Sequence, residues 1–249
     1  MQRYFIKTSQ MTGDIVTITG ADVHHITNVM RASSGSQFLL CSDARETFLV
    51  EITTITKTEV IVRVVEKRGE NVEMPVLVTV AQGITKGDKF DLVVQKTTEC
   101  GVCALLPVAM KRSVAKIEAG KMVKKVERWQ KIALEAARQA HRQVVPLVMK
   151  PVEIKGLLAL ASEYDVCLFA YEAIEEVSKN RLVTITQGLS AGQRVLVLIG
   201  PEGGIDQSEV LLLEEVGFKA IGLGPRILRT ETAPIYVMSA LSYALELSN

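Results

Sequence analysis

"LVLIGPEGGIDQSE" (196–209) decides how this chain is read. Leu196–Ile199 are strand formers without a polar break, the pattern of a strand buried on both faces. The run stops at Gly200, and Pro201, Glu202, Gly203 and Gly204 follow. Asp206 with Glu209 three residues on has the spacing of a capping box, which predicts a helix from Gln207. Gly217 is its predicted stop. Strand, glycine-rich turn and helix make the unit of an α/β layer, and ligands bind such layers at the carboxyl ends of parallel strands. By itself the turn is equally a plain strand-to-helix connection. Neither a G-x-G-x-x-G fingerprint nor a G-K-[ST] phosphate loop is present, which argues against a nicotinamide oxidoreductase.

The next strand ends in the same way. "IGLGPRILRTETAP" (221–234) carries Gly222, Gly224 and Pro225, then Arg226 and Arg229, then a helix with Pro234 near its first turn, where proline is tolerated. The helix "IYVMSALSYALEL" (235–247) is apolar almost all round, so it is buried or lies at an interface. Two arginines between a buried strand and a buried helix need partners or a ligand. An ion pair with Glu231 or Glu202 is the structural alternative. Two glycine-rich loops can form one pocket of backbone amides and carbonyls with two arginines and a carboxylate, suited to a flat heteroaromatic ligand beside an anionic one.

The chain's 249 residues, 48% hydrophobic and 23% charged, can bury a sizeable core in one or two domains. The start "MQRYFIKTSQ" has no apolar signal region, and no apolar run approaches a membrane span, so the cytoplasm is expected. Net charge is +1, but residues 111–142 hold ten Lys/Arg and three acids, leaving the rest at −6. Such a basic stripe is either an anion site, with phosphate backbones the commonest partner, or a solvated helix face. Cys41, Cys100, Cys103 and Cys167 include a single "CGVC" with no second pair, and His24, His25 and His141 add no ligand spacing; no metal is expected and the cysteines read as apolar core.

Four β-branched, often alternating runs, "DIVTIT", "SQFLLCS", "TFLVEITTI" and "EVIVRVVEK", fill the first ~70 residues and suggest a small barrel. "ADVHHITNVMR" (21–31) between the first two predicts a short helix with Asp22 as cap. "GENVEMP" (69–75) is the predicted boundary, giving domains 1–72 and 73–249. Beyond it, strands at 76–81, 104–110, 165–171, 194–200 and 219–224 alternate with helices at about 88–100 and 121–141, which predicts an α/β domain with a mainly parallel sheet.

"LIGPEGGIDQSE" together with "LGPRILRTETA" resembles the paired signature motifs of the SPOUT (trefoil-knotted) methyltransferases, and within them the RsmE family of 16S rRNA uracil-N3 methyltransferases. "HHITNVMR" (24–31), "KGDKFDLVVQKTTECGV" (86–102) and "RWQKIALEAARQAHRQVVP" (128–146) extend the resemblance over nearly the whole chain. Cys100 stands where leucine is usual, and Arg138, Ala140 and His141 where Glu, Ser and Gly are.

The resemblance implies a PUA-like RNA-binding barrel, then a knotted domain that binds S-adenosylmethionine, in a cytoplasmic homodimer acting on a uridine in the decoding region of 16S rRNA, within the small subunit. It places the cofactor at Phe169, Ala170, Tyr171 and Glu172; at Leu198, Ile199, Gly200, Glu202 and Gly203; and at Leu223, Gly224, Arg226, Ile227 and Leu228. RNA contacts are expected from Arg3, His24, His25 and Arg31, and from Lys111, Arg112, Arg138 and Arg142. Methylating N3 requires removal of its proton and leaves charge on O2 and O4. Arginine is a poor base but a good fork for such charge, so Arg229 is the candidate stabiliser, with Glu202, then Glu231, as proton acceptor or orienting group. Rival readings are a ribose 2′-O methyltransferase of the same superfamily and a non-catalytic RNA-binding assembly factor.

Overall fold

The computed structural model describes residues 1–69, 71–113, 119–172 and 181–248. Lys116 and Glu118 of the basic segment lie outside them. The chain divides into two compact units, 1–73 with 137–145, and 74–136 with 146–249.

In the first unit, β1 (Arg3–Ile6), β2 (Met11–Thr12) and β3 (Ile15–Thr19) precede the short helix α1 (Ala21–His24), and β4 (Gln37–Ser42), β5 (Thr47–Ile55) and β6 (Glu59–Arg68) follow it. The sheet order is β1-β4-β5-β6-β3-β2. All pairs are antiparallel except β1 with β4. The period of two turns Val16 and Ile18, Phe38 and Leu40, Phe48, Val50 and Ile52, and Val60 and Val62 into one core with Tyr4, Val23 and Ile26. Two register shifts between β5 and β6 help the sheet curl around that core. Asp22 does not cap α1: the cap position is Gly20, at φ +75°, and Asp22 in the first turn pairs with Arg138 instead.

The second unit runs β7 (Leu77–Gly83), α2 (Lys89–Glu99), β8 (Ala104–Ala109), α3 (Ala119–Gln139), β9 (Leu147–Val148), β10 (Val152–Glu153), α4 (Ile154–Leu160), β11 (Val166–Ala170), α5 (Arg181–Gln187), β12 (Arg194–Ile199), α6 (Gln207–Glu215), β13 (Lys219–Ile221) and α7 (Thr232–Ser242). The last turn of α3, from Ala137, belongs to the first unit. Among the described residues the sheet has seven strands, in the order β10-β8-β7-β12-β11-β13 with β9 beside β8. Every pair is parallel. Leu157 of α4 and Val210 and Leu213 of α6 pack on Ala81, Leu106, Phe169, Leu196 and Leu198 of the sheet. Helices α2 and α7 pack on each other.

The α6 start follows the capping-box pattern. Ser208 N–H donates to Asp206 Oδ1 at 3.1 Å, and Asp206 N–H donates to Glu209 Oε2 at 3.2 Å. Gly217 sits at φ +90° just past the helix end, a conformation that favours glycine.

Candidate active site

A parallel sheet sends all its carboxyl ends to one edge, so the segments after β7, β8, β11, β12 and β13 gather there. The glycines of the opening motif are accounted for by packing. A Cβ on Gly83, the last residue of β7, would stand 2.5 Å from Pro201 N. One on Gly203 would stand 2.9 Å from Arg112 Cβ, and one on Gly200 3.0 Å from Ile205 Cγ1, while Gly204 lies at φ +72°. The turn 200–206 is therefore folded hard against its neighbours.

The loop after β13 behaves differently. β13 is an edge strand beside β11, yet Thr230 Oγ1 donates to Gly200 O at 2.6 Å, at the end of β12. Gln82 at the end of β7 donates to the same hydroxyl at 2.9 Å. The chain thus passes back across the carboxyl end of β11. On the way, Leu223, Gly224, Arg226, Ile227 and Leu228 have no backbone hydrogen bond among the described residues. Gly224 lies at φ +89° and Ile227 is 85% exposed. Those unengaged amides and carbonyls are what a heterocycle read by main-chain groups needs.

Phe169, Leu198 and Ile199 are at most 2% exposed, so their side chains belong to the core and only their main chain can face a ligand. Ala170 and Tyr171 are half-buried, with Tyr171 OH donating to Gln207 Oε1 at 3.1 Å; Glu172 is exposed.

Arg226 and Arg229 are exposed, and neither has a side-chain partner among the described residues. The carboxylates expected to pair with Arg229 are taken by Lys89, at the start of α2. Its ammonium lies 3.1 Å from Glu202 Oε1 and 3.7 Å from Glu231 Oε2. Lys86 N–H also donates to Glu202 Oε1, at 3.1 Å. Partial burial works to raise the Glu202 carboxyl, but its own amide, the Lys86 amide and the Lys89 ammonium outweigh it and hold the group below the usual carboxylate range. A carboxylate so held is a weak base, which counts against Glu202 as proton acceptor. Glu231 Oε2 is buried and accepts no hydrogen bond among the described residues. Lys89 gave no distinct signal in the sequence beyond a basic residue at a predicted helix start.

Replacing Lys89 with methionine removes two of the influences that lower Glu202, so its carboxyl is expected to titrate higher in a ¹³C NMR titration. A depressed folded-state value stabilises the fold above the unfolded value, and this contribution is lost as pH falls through the folded one. Lys89→Met should therefore reduce the stability that Glu202 contributes at neutral pH. An unchanged Glu202 titration would mean that the backbone amides alone hold it.

The basic candidates separate into two groups. His24 and Arg31 in the first unit, and Lys111 and Arg112 in the second, are exposed. Lys111 and Arg112 lie just after β8 and pair with Asp206 at 3.8 and 3.3 Å. Arg3, His25, Arg138 and Arg142, also expected as RNA contacts, have partners within the protein. His25 Nδ1 shares a 2.9 Å hydrogen bond with Tyr4 OH. Arg138 pairs with Asp22 and stacks 5.4 Å over the Tyr4 ring, and Arg142 pairs with Glu73. Arg3, Arg138 and Arg142 are at most 9% exposed, and Asp22 and Glu73, which pair with the last two, belong to the first unit as they do.

The cysteines are all free, and burial pushes the Cys167 thiol up to about 11.

The chain thus combines a curled β unit with a parallel α/β unit whose loops gather at one edge of the sheet, an architecture open to ligand binding at that edge. Residues 72–242 match the family model of the RNA methyltransferase domain, and residues 18–65 that of the RNA methyltransferase PUA domain. The chain belongs to the RNA methyltransferase family whose curated members are named ribosomal RNA small subunit methyltransferase E. A member from Bacillus subtilis is 43% identical over 99% of this chain and 98% of its own length. One from Mesomycoplasma hyopneumoniae is 32% identical over 96% and 98%. A methyltransferase from Legionella pneumophila solved with bound S-adenosylmethionine superposes with a TM-score of 0.83 at 30% identity, covering 97% of both chains. Ribosomal RNA small subunit methyltransferase E from Neisseria gonorrhoeae, also solved with S-adenosylmethionine, gives 0.82 at 27%, again covering 97% of both.

Proposed function

We propose that this chain methylates N3 of one uridine in the decoding region of 16S rRNA, using S-adenosylmethionine, with the assembled small subunit as substrate. The observation that carries the reading is Arg229: exposed, free of carboxylate partners among the described residues, and next to a loop whose backbone groups are unengaged. The residues present fit the cofactor. Main-chain groups of 223–228 would hold the adenine edge, beside the ends of β11 and β12. When bound, S-adenosylmethionine supplies an activated methyl group.

The protein's own task is to make uracil N3 nucleophilic. The N3 proton must leave, passing to solvent water at this exposed edge, and the anion spreads its charge onto O2 and O4. A planar, permanently charged guanidinium can donate to such oxygens, and its effect is largest when fixed beforehand. With Glu202 and Glu231 tied to Lys89, the reading gives the catalytic weight to Arg229 rather than to a carboxylate base. The target base has to be splayed from its stack to reach this edge. His24, Arg31, Lys111 and Arg112 would hold phosphates while it does.

A trefoil knot fits the return of residues 222–230 across the end of β11. A homodimer fits the exposed apolar side chains Tyr236, Tyr243 and Leu247 on and after α7, and an rRNA substrate goes with a cytoplasmic location.

The test incubates the protein with labelled S-adenosylmethionine and small subunits lacking the modification, then maps the product nucleoside by mass spectrometry. 3-Methyluridine at a single site is expected. A 2′-O-methyl product would move the chain to a different target atom on the same fold. Cofactor binding without transfer to the subunit would replace the RNA substrate, and failure to bind the cofactor would overturn the reading.

A further inference from the structure

Strand β7 turns Val78, Val80 and Gln82 to one face. The two valines are completely buried, and so is Gln82. An amide at the end of an apolar stripe is out of place as packing, because an aliphatic side chain of the same volume would need no partners. The two N–H groups of Gln82 have three acceptors within reach, so one bond is shared: Thr230 Oγ1 at 2.9 Å, Gly83 O at 3.2 Å and Gly200 O at 3.3 Å. Its Oε1 has no hydrogen-bond partner among the described residues, although no water can reach it from outside. A half-satisfied buried amide weakens a fold relative to an apolar replacement.

The donor directions form a relay. Gln82 Nε2 donates to Thr230 Oγ1, and Thr230 Oγ1, its lone pair occupied, donates to Gly200 O at 2.6 Å. Gly200 begins the turn after β12, and Thr230 ends the loop after β13. The proposed adenine edge lies on the second of these segments, beside the end of β12 where the first begins. Thr230 is 9% exposed, so the relay is shielded from competing water.

We infer that Gln82 and Thr230 are positioning residues for the cofactor site, fixing the 222–230 loop against the Gly200 turn so that its free main-chain groups are set before the ligand arrives. The inference rests on the proposed cofactor site. Neither side chain need touch the ligand; each acts through the loop it holds. Preorganisation of this kind appears as ligand affinity, because the ordering cost is met in the free protein.

The experiment uses the full chain and S-adenosylmethionine itself, with Gln82→Met, Thr230→Val, Thr230→Ser and the double variant Gln82→Met/Thr230→Val. Equilibrium binding is measured by calorimetry, and KM is measured for cofactor and for RNA. Gln82→Met and Thr230→Val are each expected to weaken cofactor binding about tenfold, roughly what loss of one buried hydrogen bond does. KM for RNA should stay unchanged, and Thr230→Ser, which keeps the hydroxyl, should stay near the parent. The double variant should lose less than the sum of the two single losses, since the residues share one hydrogen bond.

Parent-like cofactor affinity in both Gln82→Met and Thr230→Val would overturn the inference while leaving the proposed function standing. Losses that simply add, or equal losses in Thr230→Ser and Thr230→Val, would overturn it too. If Gln82→Met does not fold, the Thr230 pair decides alone. If the parent does not bind the cofactor, both this inference and the proposed site fall.

Discussion

Replacing Arg229 with alanine is expected to lower kcat for RNA methylation by about 10²–10³, the usual cost of deleting one preorganised donor to a developing oxyanion. S-Adenosylmethionine affinity should stay within about twofold, since the side chain's role is with the charge that forms in the transition state rather than with a ground-state ligand. Arg229→Lys should recover little, because an ammonium is a point charge and lacks the planar fork. The structure makes this a clean experiment. Arg229 is exposed and has no side-chain partner among the described residues, so its truncation strands no buried carboxylate. Its carbonyl, which accepts from Thr232 N–H at 2.9 Å and Ala233 N–H at 3.0 Å to start α7, is untouched by the substitution. Single-turnover rates at saturating cofactor, with cofactor affinity measured separately, would check it. A normal kcat with normal cofactor binding would remove Arg229 from the chemistry.

The α/β layer was legible because buried parallel strands leave near-continuous apolar runs, and each of the strands expected after residue 75 forms. The α6 start was legible to the residue, since a capping box is local chemistry: Asp206 and Glu209 satisfy amides within their own turn. Strand β1 carries the half-alternating "RYFI" and went unread, because it gains its place only by pairing in parallel with β4, some 36 residues on. The setting of the arginines in the basic segment was hidden for a related reason. A count of charge weighs Arg138 and Arg142 as it weighs Lys111. Only the fold brings Asp22 and Glu73 to them and turns apparent surface charge into internal ion pairs.

At the site, the glycine loops were visible as composition, but the division of labour between them was not. Gly200 and Gly203 answer to contacts with Ile205 and Arg112, whereas the loop after β13 keeps its main chain free. Lys89 was invisible because nothing in "KGDKFD" reveals that its ammonium stands between carboxylates 113 and 142 residues later. Long-range polar partnerships of this kind have no periodicity to betray them.

Breaking the Arg142–Glu73 pair is expected to give the largest loss of stability in the first unit. Arg142 Nε donates to Glu73 Oε2 at 3.2 Å and its Nη2 donates to the same oxygen, with side chains only 4% and 9% exposed. Glu73 Oε1 also accepts from Gln143 N–H at 2.8 Å and Val144 N–H at 3.1 Å. The carboxylate therefore fastens the segment 137–145 to the unit that ends at Glu73. Removing one partner of a buried pair typically costs about 3–5 kcal/mol, because the other is left charged and dry. The two sides are not equivalent. Arg142→Met leaves Glu73 two backbone donors, whereas Glu73→Leu removes at once the shared acceptor of the guanidinium and of both amides, so Glu73→Leu should be the worse. The only tryptophan, Trp129, belongs to the second unit, where its indole N–H donates to Asp91 Oδ1 at 3.0 Å, so its fluorescence reports that unit directly. Amide hydrogen exchange in β4, β5 and β6 reports the first. Protection there should fall by about 100-fold or more in Arg142→Met and further in Glu73→Leu, at about 1.4 kcal/mol for each factor of ten. The Trp129 transition should stay near that of the parent. Equal, small losses in both variants would mean that the pair is solvated and does not hold the segment.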